Sequence, residues 1–163
     1  MTALKKVNDA AMRAFTWVTI VFGSFMTCIV FVNVITRYVF HTTIPWAEES
    51  ARFLFIWVTF LGVVIANDRK EHMQLDFVVN LFPYNVRKVI LGLVYLAIVA
   101  FLAILIHGSV RYTVNQWDWK SSALHIRHGL VYMIAPISFT MLALQFFARG
   151  IGEFMSIGKE EEV

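Results

Sequence analysis

Charge is what this chain has least of. Only 15% of its 163 residues are Asp, Glu, Lys or Arg, against 59% hydrophobic, and the mean hydropathy is +0.68. A soluble domain carries about a quarter charged residues, so a water-facing globule is excluded. Three stretches, 14–36, 89–110 and 129–148, contain no charged residue at all. About 20 apolar residues in a helix cross a hydrocarbon core roughly 30 Å thick, so each stretch is long enough to span. The 14 Leu, Ile, Phe and Val residues within 89–110 favour insertion by roughly 4–8 kcal/mol, at about 0.3–0.6 kcal/mol each. That outweighs the lone His107.

Cysteine is nearly absent. Cys28 stands alone in the middle of the first span, which rules out a disulfide framework or a cysteine metal cluster. Catalytic patterns are missing too. Ser24, Thr27 and Cys28 lie within a span, but no Ser/Lys, His-Glu-x-x-His or Gly-x-Ser-x-Gly arrangement accompanies them. Small polar residues in spans usually bond back to their own helix or pack on a neighbour. The chain therefore reads as a non-enzyme. Internal repeats are absent and the middle of every span lacks a charged residue, unlike an ion-coupled carrier working alone. The net charge of +3 reflects loop lysines and arginines and does not indicate nucleic-acid binding. Five histidines, His41, His72, His107, His125 and His128, leave open a haem or quinone anchor, and a channel built from several copies stays open as well.

What is present is a second, shorter apolar run. Residues 53–67 cover roughly 22 Å at 1.5 Å per residue, so they span only if residues 46–52 lie in the headgroup layer. The expected spans are 14–36, 47–67, 88–110 and 129–149, in a single domain over 1–163. Four spans place both termini on one side. Nine basic residues (Lys5, Lys6, Arg13, Arg69, Lys70, Arg87, Lys88, Arg149, Lys159) share that side, against five on the other. Positive charge stays inside, so the termini are expected in the cytoplasm. Lys5, Lys6 and Arg13 resemble a signal peptide's basic region. The long apolar run and the lack of a small-residue cleavage site point instead to a retained signal-anchor. The expected fold is an all-α membrane protein. It has four transmembrane helices, an interfacial helical segment before span two, and a short amphipathic helix between spans two and three. That last helix follows from Leu75, Val78, Val79 and Phe82, with Pro83 ending the run.

The polar residues crowd the span ends. Pro45 breaks the chain between spans one and two, and a new helix starts near Trp46 with Glu48 and Glu49 in its first turn. Arg52 lies three and four residues on, so all three can meet on one helical face. They either form a closed ion-pair cluster or keep surplus groups for a partner subunit. Asn33 and Arg37 lie one turn apart at one end of span one, and Gln145 and Arg149 do so at the end of span four. Gly62 and Ala66 make a small-xxx-small face on span two. Tyr112, Trp117 and Trp119 suit a headgroup layer, with Lys120 and Arg127 nearby. Pro136 is expected to kink span four.

Several of these residues form a familiar pattern. Arg37-Tyr-Val-Phe40, four residues, Pro45-Trp-Ala-Glu-Glu49, Ala51-Arg52 and Leu54-Phe-Ile-Trp-Val-Thr-Phe-Leu-Gly62 are followed by Ala66, Arg69, His72, Asp76 and Leu81-Phe-Pro83. Together they resemble the small membrane subunit, DctQ-like, of tripartite ATP-independent periplasmic (TRAP) transporters. The match is close over residues 30–83. The resemblance implies a bacterial inner-membrane subunit, without cofactor, bound among membrane lipids to a large multi-span DctM-like transport subunit. That subunit would hold the sodium and substrate sites, while a periplasmic binding protein delivers a C4-dicarboxylate, sialic acid or similar organic acid. Arg37, Trp46, Glu48, Glu49 and Arg52 match the outer motif and are expected, with Gly62 and Ala66, at the subunit interface. Arg69, His72 and Asp76 match the inner motif. Trp117, Trp119, Lys120 and Arg127 are expected to share in docking the binding protein.

Overall fold

The computed structural model describes residues 2–69 and 84–155, which form five helices. These are α1 (Thr2–Val39), α2 (Pro45–Arg69), α3 (Tyr84–Asn115), α4 (His128–Tyr132) and α5 (Ile134–Met155). Four helical stretches are long and apolar enough to cross a membrane: Asn8–Val39, Pro45–Asp68, Val89–Asn115 and His128–Gly152. The chain is thus a multi-pass, all-α membrane protein. Each stretch takes in nearly all of an expected span and overruns one or both of its ends. A charged residue ends an apolar window without ending a helix, because lysine, arginine and glutamate are good helix formers. The expected amphipathic helix at 75–82, with His72 and Asp76, lies outside the described residues.

Prolines set the breaks. Pro45 occupies the first position of α2, where its missing N–H costs nothing. The corner before it turns at His41, whose φ of 52° takes the chain out of α1. In the fourth span the helix breaks at Met133, between α4 and α5. Pro136 explains the break: it has no N–H for the Tyr132 carbonyl, and its ring crowds that same carbonyl.

The helices make an open row. α1 lies along α2, α2 meets α5, and α5 lies along α3, while neither α1 nor α2 brings its backbone within 8 Å of the α3 backbone among the described residues. Side chains bridge what the backbones do not. Met12 of α1, Val64 of α2, Leu102 of α3 and Leu142 of α5 form one buried cluster, flanked by Phe15, Phe139 and Phe146. Phe60 meets the Phe139 ring edge-on at 5.5 Å, and Phe22 meets Trp57 at 5.6 Å. α1 is the least enclosed element. Only 6% of its apolar window is buried, against 22–28% for the other three. Trp17, Phe25 and Phe31 therefore face outward along its length.

Candidate functional site: two polar rims

Polar contacts concentrate at the two ends of the row. At one end lie the start of α1 and the ends of α2 and α5. The Asn67 amide donates to Gln145 Oε1 at 2.7 Å. Arg149 donates to Asn67 Oδ1 at 3.2 Å and also to the Asn67 carbonyl. Its guanidinium lies 5.8 Å from the centre of the Phe146 ring. Asn8 donates to Asp68 at 3.1 Å, and the Gln145 amide reaches the Met12 sulfur at 3.6 Å. Gln145 and Arg149, marked in the sequence by their spacing, are thus occupied inside the chain. Asn8 and Asn67 escaped notice because their partners lie 60 or more residues away.

The opposite end carries the paired carboxylates. Successive helical residues point about 100° apart, and Glu48 and Glu49 have opposite fates. The Glu48 side chain is 69% exposed and the Glu49 side chain 8%. Glu48 lies 3.9 Å from the Arg37 guanidinium, while Glu49 lies 3.9 Å from that of Arg52. Both gaps exceed hydrogen-bond length, so Arg37 and Arg52 keep donors for other acceptors. Glu49 is used elsewhere. Its Oε2 accepts the backbone N–H groups of Ala123 and Leu124 at 3.0 and 2.9 Å. Of the two arrangements open to Glu48, Glu49 and Arg52, ion pairing within α2 is loose, and the tight contact runs from α2 to the loop before α4.

That loop, 116–127, stands on a narrow base. Trp117 packs against Gly129 so closely that a Cβ there would lie 2.5 Å from the ring and 3.0 Å from the Trp117 Cα. Trp119 is 68% exposed, and Lys120 and Arg127 are exposed facing partners in a single antiparallel bridge. Behind them, His128 meets the ring edges of Phe53 and Tyr132, and Tyr132 meets Tyr112 at 5.1 Å.

The remaining expected residues are placed as follows. Trp46 is exposed at the start of α2. Gly62 has open space where a Cβ would project, and Ala66 is exposed, so no described helix of this chain fills that face. Arg69 is the last residue of α2. Four span hydroxyls bond back along their own helices, Thr16 to Met12, Thr27 to Gly23, Thr36 to Val32 and Thr140 to Pro136, whereas those of Thr19 and Ser138 are buried without a partner among the described residues. His107 and His125 are exposed, and among the described residues no three His, Cys, Asp or Glu side chains gather as metal ligands would.

A membrane protein with an apolar middle and polar ends defines the class: a multi-pass subunit whose distinctive groups lie at its rims. Residues 26–154 match the model of the family described as tripartite ATP-independent periplasmic transporters, DctQ component. The chain belongs to this family, whose members are transporter subunits and not enzymes. It is 30% identical over 119 residues to the sialic acid TRAP transporter permease protein SiaT of Haemophilus influenzae, covering 72% of this chain and 19% of that protein. It is 34% identical over 87 residues to the C4-dicarboxylate TRAP transporter small permease protein DctQ of Vibrio cholerae, covering 53% of this chain and 38% of that one. With the isethionate TRAP transporter permease protein DctMQ of Oleidesulfovibrio alaskensis it shares 24% over 120 residues, 72% of this chain and 19% of that protein. The chain thus spans about a fifth of the two longer permeases.

Proposed function

We propose that this chain is the small membrane subunit of a sodium-coupled secondary transporter for organic acids that depends on a periplasmic binding protein. It would lie in the bacterial inner membrane with both termini in the cytoplasm. The observation that carries this reading is the separation of chemistry from membrane depth: the described salt bridges and the hydrogen bonds between side chains of different helices sit at the rims, while Thr16, Thr27 and Thr140 within the spans bond back to their own helices. Substrate and sodium sites then belong to a large DctM-like subunit. Two relatives in which the matching segment is about a fifth of a longer permease support such a partner. The substrate class follows the relatives' names, with sialic acid and C4-dicarboxylates foremost.

The chain's task in this assembly is to brace the fixed scaffold of the large subunit. Arg37, Trp46, Glu48 and Arg52 stand exposed at the outer corner, and the open Gly62–Ala66 face lies on the same helix as the last three. Glu49 is turned inward and takes no part in this brace; it ties α2 to the 116–127 loop. Trp117, Trp119, Lys120 and Arg127 on this loop share in docking the binding protein, where basic groups steer an acidic surface.

Reconstitution tests the reading. Proteoliposomes holding the large subunit, this chain and the loaded binding protein should accumulate sialic acid or a C4-dicarboxylate along an imposed sodium gradient, and omitting this chain should abolish accumulation. Solute movement through vesicles containing this chain alone would overturn the proposal.

A further inference from the structure

The 116–127 loop is held at its base by its own backbone. Gly129 N–H donates to the Gln116 carbonyl at 3.2 Å, His128 N–H to that of Trp119 at 2.8 Å, and Ser121 N–H to that of Ile126 at 2.9 Å. His125 N–H closes the tip turn onto the Ser121 carbonyl at 3.2 Å, with His125 at φ 54°. The amides of Ala123 and Leu124 take no part in this ladder. Both donate to one oxygen of Glu49, a residue 6% exposed and more than 70 positions away in the chain. The tip is thereby bound to the N-terminal part of α2, just past its first turn, while Trp119, Lys120 and Arg127 stand exposed on the same loop.

We propose that Glu49 is a positioning residue for the outer surface: its carboxylate locks the loop tip so that Trp119, Lys120 and Arg127 form one preformed platform. This rests on the docking role assigned to the loop above. A carboxylate receiving two backbone N–H groups makes charge-assisted bonds, about twice as strong as neutral ones. Tip amides left without an acceptor carry a desolvation penalty, so the loop leaves this arrangement when the carboxylate is removed. A preformed platform spares the binding protein the cost of ordering it. Loss of the clamp therefore acts on how much binding protein is needed and leaves the transport cycle itself alone. Glu48, one residue earlier and exposed, has no such contact, so the two carboxylates of the motif divide their work.

Two measurements test this. The first is amide hydrogen exchange on the chain in lipid nanodiscs. Glu49→Ala should accelerate exchange at residues 123 and 124 by tenfold or more, with the centres of α3 and α5 unchanged. Glu49→Gln, which keeps a neutral carbonyl acceptor, should give a smaller rise and serves where the alanine variant fails to fold. Arg52→Gln should have no effect, given its 3.9 Å separation from Glu49. Unchanged exchange at 123 and 124 in both Glu49 variants overturns the clamp. The second is uptake by the complete transporter in proteoliposomes, titrated with its binding protein and assayed in parallel with labelled sialic acid and a C4-dicarboxylate. The half-saturating concentration of binding protein should rise about tenfold, while the saturating rate changes less than twofold. Faster exchange with an unchanged half-saturating concentration overturns the docking role of the loop. A reduced saturating rate with an unchanged half-saturating concentration overturns the positioning role in favour of a general loss of assembly.

Discussion

Replacing Gly129 with alanine sets two effects of opposite sign against each other. Alanine is favoured over glycine inside a helix by up to about 1 kcal/mol. Gly129 lies in the first turn of α4, where many backbone N–H groups have no helical partner, so the gain there is smaller. Against it stands a new Cβ 2.5 Å from Trp117 Cε3, 3.2 Å from its Cδ2 and 3.0 Å from its Cα. The ring can swing aside, but the Cα is backbone, tied by the Trp117 amide to the Val114 carbonyl at 3.1 Å. Overpacking of this kind costs about 1–3 kcal/mol. The penalty should win by about 1–2 kcal/mol, which lowers the melting temperature by about 2–8 °C for a chain of this size. Gly62→Ala is the control, since a Cβ there meets nothing within 4 Å, and it should be neutral or stabilising in the isolated chain. The assay is thermal unfolding in detergent micelles, read by circular dichroism. Adding Trp117→Ala to Gly129→Ala removes the clash with the ring but leaves the close approach of the two backbones, so the double variant should show a favourable coupling energy. If Gly129→Ala melts no lower than Gly62→Ala, the packing of Trp117 on this helix turn is wrong.

At the opposite rim, Arg149→Leu removes both bonds to Asn67 and should destabilise the isolated chain by about 1–2 kcal/mol, within the range for polar ties between membrane helices; denaturation in mixed micelles checks this, and an unchanged midpoint would dismiss the tie. Lys120→Glu combined with Arg127→Glu should leave the chain folded and assembled with its large subunit. The same pair should raise the half-saturating concentration of binding protein at least tenfold at low salt, with the difference shrinking at high salt as screening sets in. Equal titration curves at both salt concentrations would remove these two residues from docking. Arg52→Glu should weaken co-purification of the large subunit several-fold while leaving the melting temperature of the isolated chain within about 1 °C, because the side chain is 69% exposed and its ion pair is loose. Undiminished co-purification would exclude Arg52 from the subunit contact.

The spans and breaks were legible in the sequence because each rests on a strong local cause. A run of 20 apolar residues has no stable home but lipid or a core, and Pro45 and Pro136 act on the helix that contains them. The rims were only half legible. Spacing placed Glu48, Glu49 and Arg52 on one face, and that geometry favours ion pairing within α2. The contact that won pairs Glu49 with two backbone amides more than 70 residues away, and backbone donors leave no mark on residue type. The same holds for Asn67, whose partners Gln145 and Arg149 stood out only by their own spacing. The exposure of α1 left no trace either, because an apolar helix reads the same whether protein or lipid surrounds it.

That equivalence explains why the rims matter beyond their size. In lipid, burying Trp17 or Phe25 against a neighbour gains no hydrophobic free energy, since acyl chains are as apolar as leucine. Apolar packing alone therefore selects weakly among the orders in which four such helices can stand side by side. Directional polar contacts choose between them: Asn67 bonds to Gln145 and Arg149 at one end, and Glu49 bonds to the tip of the α3–α4 loop at the other. These two ties hold α2 against the α3–α5 pair from both ends, with Phe60 on Phe139 between them. α1 is attached through α2 and through the Asn8–Asp68 and Met12–Gln145 contacts at one rim. Fastened this way, α2 and the loop are fixed by the chain's own contacts, while α1 keeps a long apolar face, with Trp17, Phe25 and Phe31, that no other described helix covers.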